Sequence, residues 1–186
     1  LVNLMIGCYL AMVYMLRRHD QCFLLWSVAC FVFVAGGCAA GIRTYVDMPL
    51  LTYLLADVLL LLSPALVVAG LVLFLRGQLS ARAKQQAALL LTLFLLPLAM
   101  LYQVSNASTA LTSFSIAVLF IYAIVLLKNA RLTPAFPVCI LQLFFAVHAS
   151  LMVLQVILVL PLIGEEHRTF SLPSLQWVLL GHVLLT

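Results

Sequence analysis

The chain has 186 residues, 67% of them hydrophobic and only 8% charged, with a mean hydropathy of +1.28. Soluble domains carry about 45–50% apolar and about 25% charged residues, so this composition excludes an ordinary soluble globule and makes the lipid bilayer the first partner. The formal charge is +4, but the basic residues are split among short connections and form no stripe, so no nucleic-acid partner is expected.

Seven apolar segments are predicted, giving an all-α polytopic membrane bundle of seven transmembrane helices. Segment one is Leu1–Leu16, short for a full span and closed by Arg17, Arg18, His19 and Asp20. Segment two runs over about Gln21–Ile42. Its Gly37 and Gly41 form a G-x-x-x-G flanked by Ala35, Gly36, Ala39 and Ala40. Small residues at that spacing let two backbones approach closely, either within the bundle or at a dimer seam. Arg43–Pro49 is a short polar loop.

Segment three, Leu50–Leu75, is the stretch around which the rest is organised. Asp57 is its one ionisable residue, and Arg76 ends it. A charged group at the centre of a membrane helix costs about 2.5–3.5 kcal/mol on insertion scales, so Asp57 must face other helices, water or the outer rim. Arg76–Gln86 is the most basic connection. Segment four spans about Ala87–Val104, Ser105–Thr109 is expected to be an uncharged turn, and segment five spans about Ala110–Leu127. Lys128–Pro134 is a basic connection. Segment six, Ala135–Leu162, precedes the acidic loop Gly164–Ser174, and segment seven starts near Leu175. Pro64 and Pro97 fall inside segments three and four and should kink them. Leu1 and Thr186 both lie within apolar runs, so residues 1–186 read as the membrane domain of a longer protein, with both ends cut and no cleavable signal peptide.

Loop charge sets the orientation. Seven of the nine Lys+Arg (Arg17, Arg18, Arg76, Arg82, Lys84, Lys128 and Arg131) fall on one side, and Arg43 and Arg168 on the other. The richer side is expected in the cytoplasm, with the N-terminus outside and the C-terminus inside.

Four residues are the candidate ligand-binding positions: Asp57, Gln103, His148 and Gln155. Asp57 is either hydrogen-bonded to a neighbouring helix or a proton, cation or ligand contact. A single carboxylate well inside a span argues against an ion carrier, which usually offers several charges. In segment six His148 and Gln155 are seven apart and share a face, with Gln142 turned away from them. A membrane His there serves as an interhelical hydrogen bonder or a ligand contact. Haem ligation by His148 and His182 is disfavoured because their depths differ. Gln103 precedes a polar cluster of Ser105, Asn106, Ser108, Thr109, Thr112, Ser113 and Ser115. With Arg43, Asp47 and the Glu165, Glu166, His167 and Arg168 loop, these are placed to rim an outward-facing pocket, or else form a solvated loop face.

Five cysteines lie mostly within apolar runs and none forms a C-x-x-C, so they read as packing residues without metal or disulfide roles. Trp26 and Trp177 read as interface-belt residues. The chain has no G-x-S-x-G, H-E-x-x-H, P-loop or paired catalytic carboxylates, so no catalytic residue, metal site or cofactor is assigned to it.

Two stretches carry a family resemblance. Leu55–Gly77 has a polar Asp57, an apolar run with Gly70, then Phe74 and the stop Arg76-Gly77. Arg17–Arg43 has Trp26 early and Gly36-Gly37 before an Arg-bearing loop. They resemble the N-terminal multi-helix membrane sensor region of bacterial GGDEF-type diguanylate cyclases, with Asp standing where Asn is common. The resemblance covers about a quarter of the chain. It implies a homodimer in the bacterial inner membrane and an unknown small-molecule or protein signal. It also implies a cytoplasmic GGDEF domain making cyclic di-GMP from GTP with Mg. The expected function is therefore a sensory or regulatory membrane domain. The rivals are a transporter or permease-like subunit, the membrane sensor of a histidine kinase, and a plain structural anchor.

Overall fold

A computed structural model of the chain describes residues 2–18, 20–42, 45, 50–77, 81–101, 105–130 and 135–162. In order they form α1 (Val2–Leu16), α2 (Gln21–Gly41), a π-helical turn (Leu50–Leu55), α3 (Ala56–Arg76), α4 (Ala81–Leu101), α5 (Ser105–Asn129), α6 (Ala135–Val159) and a 3-10 turn (Leu160–Leu162). No strand occurs among the described residues. Helices suit so apolar a chain because lipid offers no partner to the backbone, and a helix satisfies its own N–H and C=O groups within one segment.

Among the described residues, four helices are long and apolar enough to cross a membrane: Gln21–Gly41, Thr52–Arg76, Asn106–Asn129 and Pro137–Val159. At a rise of about 1.5 Å per residue each covers the roughly 30 Å hydrocarbon core. The apolar helices Val2–Leu16 and Thr92–Leu101, in segments one and four, are shorter. Segment seven lies outside the described residues.

Two boundaries differ from expectation. α4 begins at Ala81, inside the stretch read as a basic connection. α5 begins at Ser105, so Ser105–Thr109 is its first turn and not a loop. The run SNASTALTSF holds no Gly or Pro, and nothing in it stops a helix once lipid demands one. Pro64 and Pro97 both lie inside continuous helices.

The chain divides into two compact units, Leu1–Tyr102 and Gln103–Thr186. In the first, α2 packs against α1 on one side and α3 on the other. Toward α1, the Ser27 hydroxyl donates to the Gly7 carbonyl at 2.8 Å. A Cβ on Gly7 would lie 3.1 Å from the Cβ of Cys30. Toward α3, Gly36 lies over Leu59 and Leu60, and an added Cβ would come within 3.1 Å of both side chains. Gly37 and Gly41, the expected close-approach pair, have no atom within 4 Å of an added Cβ. Gly36 makes room at this end of the interface.

The other end of the α2–α3 interface is closed by Trp26. Its indole N–H donates to the Val67 carbonyl at 3.1 Å. The ring lies over Gly70, where an added Cβ would sit 2.6 Å from the indole Cδ1 and closer still to Nε1. Phe23 meets the indole edge-on at 5.8 Å between centroids, and Phe74 meets it at 6.0 Å. Trp26, read as a belt residue, is therefore a contact between helices. α3 stops one turn later at Gly77, whose φ of 70° is left-handed and whose N–H returns to the Leu73 carbonyl at 2.8 Å.

In the second unit, α5 and α6 pair. Phe120 stacks on Phe145 at 5.5 Å, and Ala110, near the start of α5, packs with Val159, the last residue of α6. These two pairings fix an antiparallel register.

Gly70→Ala drives a methyl into the indole and is expected to destabilise the α2–α3 pair by about 1–3 kcal/mol, as overpacking does. Gly37→Ala, in open space, is expected to stay within about 0.5 kcal/mol of the parent. Reversible unfolding in mixed micelles checks both, with Trp26 fluorescence as the local probe in a Trp177→Phe background.

Candidate functional site

Each unit holds one buried polar centre. In the first, Asp57 sits in the opening turn of α3 and is only 4% exposed. Thr52, in the preceding π turn, and Ser63, further along α3, are also buried. Thr52 and Asp57 are five residues apart, which is the hydrogen-bonding repeat of a π-helix, and neither is without an interaction partner. A carboxylate removed from water needs such partners, because burying it alone costs far more than one hydrogen bond returns. Asp57, expected to face other helices, water or the outer rim, is buried among the described residues.

The second centre is built on His148, which is 1% exposed in the middle of α6. Its Nδ1 lies 3.0 Å from the Phe144 carbonyl, one turn earlier in the same helix. A carbonyl only accepts, so Nδ1 carries the hydrogen, and in the neutral ring Nε2 presents a lone pair. Phe144 lies 4.2 Å away between ring centroids, and Phe120 meets the imidazole edge-on at 5.6 Å. The ring is thus held by aromatic neighbours from both helices of the pair.

Gln155 is buried two turns further along the same face of α6. The antiparallel register, with Phe120 beside His148 and Ala110 beside Val159, sets Gln155 level with Thr112 and Ser113 of α5. Both are buried, as are Asn106, Ser108 and Ser115. The Ser115 hydroxyl donates to its own helix at Leu111, 2.7 Å away. The Thr112 hydroxyl has no hydrogen-bond partner among the described residues. These side chains, expected on an outer rim or a solvated loop, are instead packed within α5.

Of the four candidate residues, His148 and Gln155 share one helix face, while Asp57 belongs to the other unit. Gln103 lies outside the described residues, as do Arg43, Asp47, residues 165–168 and His182. The cysteines divide: Cys22 is buried and Cys30 half-buried, whereas Cys8, Cys38 and Cys139 are exposed, so packing accounts for two of the five. Sequence reasoning missed the aromatic residues around His148, although Phe144 at i−4 and Phe145 at i−3 stood at the spacing that places them beside it.

His148→Ala, which empties a buried ring site, is expected to cost about 2–5 kcal/mol. His148→Phe keeps the ring packing, loses the bond to Phe144, and is expected to cost about 0.5–1.5 kcal/mol. Thr112→Val keeps the shape and removes an unpartnered hydroxyl, so it should be neutral or slightly stabilising. Thermal unfolding of the chain in detergent ranks the three. The chain matches no known protein family, no curated protein and no solved structure.

Proposed function

We propose that the chain is the membrane-embedded sensory domain of a signalling protein, feeding a cytoplasmic diguanylate cyclase domain of the GGDEF type. One observation carries this reading. The residues on which the resemblance rests come together, with Trp26 lying over Gly70, Phe74 against its ring, and Gly36 on the same α2–α3 interface. Asp57, the polar residue opening the third segment, is buried in the same unit. In this reading seven helices span the bacterial inner membrane, N-terminus outside and C-terminus inside. A signal acts through the polar positions Asp57, Gln103, His148 and Gln155 and biases two helix packings. The last segment passes that bias to a homodimeric output domain, which binds GTP and Mg.

The gene decides the output domain. A GGDEF sequence on the C-terminal side of Thr186 is expected; a kinase helix pair there reassigns the chain to a histidine kinase, and uptake of a solute by proteoliposomes reassigns it to a transporter. With the full-length protein, Asp57→Asn is expected to change cellular cyclic di-GMP by roughly fivefold or more at equal expression, the scale of a modest coupling energy. Unchanged cyclic di-GMP across growth conditions would remove Asp57 from the mechanism. A reporter fused at Thr186 should report from the cytoplasm; activity on the far side would overturn the orientation.

A further inference from the structure

A second polar feature of the first unit lies at the far end of α3 from Asp57, where three helices stop. α1 ends at Leu16, α2 begins at Gln21 and α3 ends at Arg76, and between these ends is a cavity of about 430 Å³. Arg17, Asp20, Gln21, Phe23, Phe74 and Gly77 are among its lining residues. We propose that this cavity binds the headgroup of a zwitterionic phospholipid, a phosphate linked to a primary ammonium.

Four observations carry this. The cavity lies at the ends of apolar helices, the depth at which headgroups sit. Its size falls within the range of small-ligand pockets, about 300–1,000 Å³. Among the described residues its lining holds one cation and one anion: the Arg17 guanidinium matches a phosphate, forming paired N–H···O bonds, and the Asp20 carboxylate matches an ammonium. Asp20 stands at the N-cap of α2, yet its side chain makes no bond to the first turn, so the helix does not consume it. Phe23 and Phe74 add an apolar wall, and Phe74, 57% exposed, leaves apolar surface along which acyl chains can run.

Asp20 also sets the selectivity. An anionic headgroup without an ammonium would meet its repulsion, and a quaternary choline has no N–H to give it. Gly77 adds room, since nothing lies within 4 Å of where its Cβ would be.

The test uses the whole chain in detergent, incubated with vesicles of phosphatidylethanolamine, phosphatidylglycerol or phosphatidylcholine, with retained lipid counted by native mass spectrometry. Preferential retention of phosphatidylethanolamine is expected. Arg17→Gln should reduce that retention roughly two- to fivefold, the scale of an exposed ion pair. Asp20→Asn should shift the preference toward phosphatidylglycerol. Asp20→Asn is isosteric, both substitutions lie at exposed positions, and unchanged unfolding curves confirm that the fold persists. Equal retention of the three lipids, or the same preference in both variants, overturns the proposal. Soluble phosphoethanolamine at millimolar concentration should leave the lipid bound; displacement would overturn the assignment to lipid in favour of a free zwitterion.

Discussion

Helices in lipid gain little by exchanging one apolar neighbour for another, so their association depends on close approach and on the few hydrogen bonds that cross between them. The α2–α3 contact meets both conditions. Missing side chains at Gly36 and Gly70 bring the helices together at two levels, and the Trp26 indole closes the second level by bonding the Val67 carbonyl. Phe23 and Phe74 hold the indole in place. α1 joins the same scaffold through Ser27 and Gly7. With that contact in place, α3 keeps Asp57 and Thr52 away from the surface.

The second unit solves the same problem differently. α5 and α6 lack a Trp clasp and use stacked rings, with Phe120 on Phe145 and His148 wedged beside both Phe120 and Phe144. Small hydroxyl residues on α5 then allow close packing, because Ser and Thr can return a hydrogen bond to their own helix, as Ser115 does to Leu111. Polar side chains thereby enter an apolar pair without facing lipid. Each unit thus carries a buried polar or ionisable group among its described residues. A bundle held by a few specific contacts is also one that a modest binding energy can shift between packings.

Much of this was legible in the residues. Apolar run lengths placed α2, α3 and α6 to within a few residues, because bilayer thickness and helix rise leave little freedom. The cost of a carboxylate in lipid pointed Asp57 away from it, in agreement with its burial, whereas His148, read as a bonder between helices, bonds the Phe144 carbonyl of its own helix. Three features were not legible, each for a physical reason. Ser105–Thr109 looked like a turn because Ser, Asn and Thr favour turns in water, but in a membrane chain the backbone's need for internal bonds overrides that preference. Gly37 and Gly41 had the spacing of a motif for packing within the bundle or at a dimer seam; within the first unit it is the adjacent Gly36 that faces α3, because spacing fixes which residues share a face and not which face meets a neighbour. Trp26 looked like a belt residue from its position alone; its partners Val67 and Gly70 are more than forty residues away, beyond any local pattern.

The most direct measurement is the contact between Trp26 and Val67. Magic-angle-spinning NMR of the isotope-labelled chain in bilayers can correlate the indole Nε1 with the Val67 carbonyl carbon through space. The 3.1 Å bond from the indole nitrogen to the carbonyl oxygen predicts a clear cross peak. A resolved Trp26 resonance with no correlation to Val67 would contradict the account, because α2 and α3 would then meet in some other way and the shelter around Asp57 would have to be built differently.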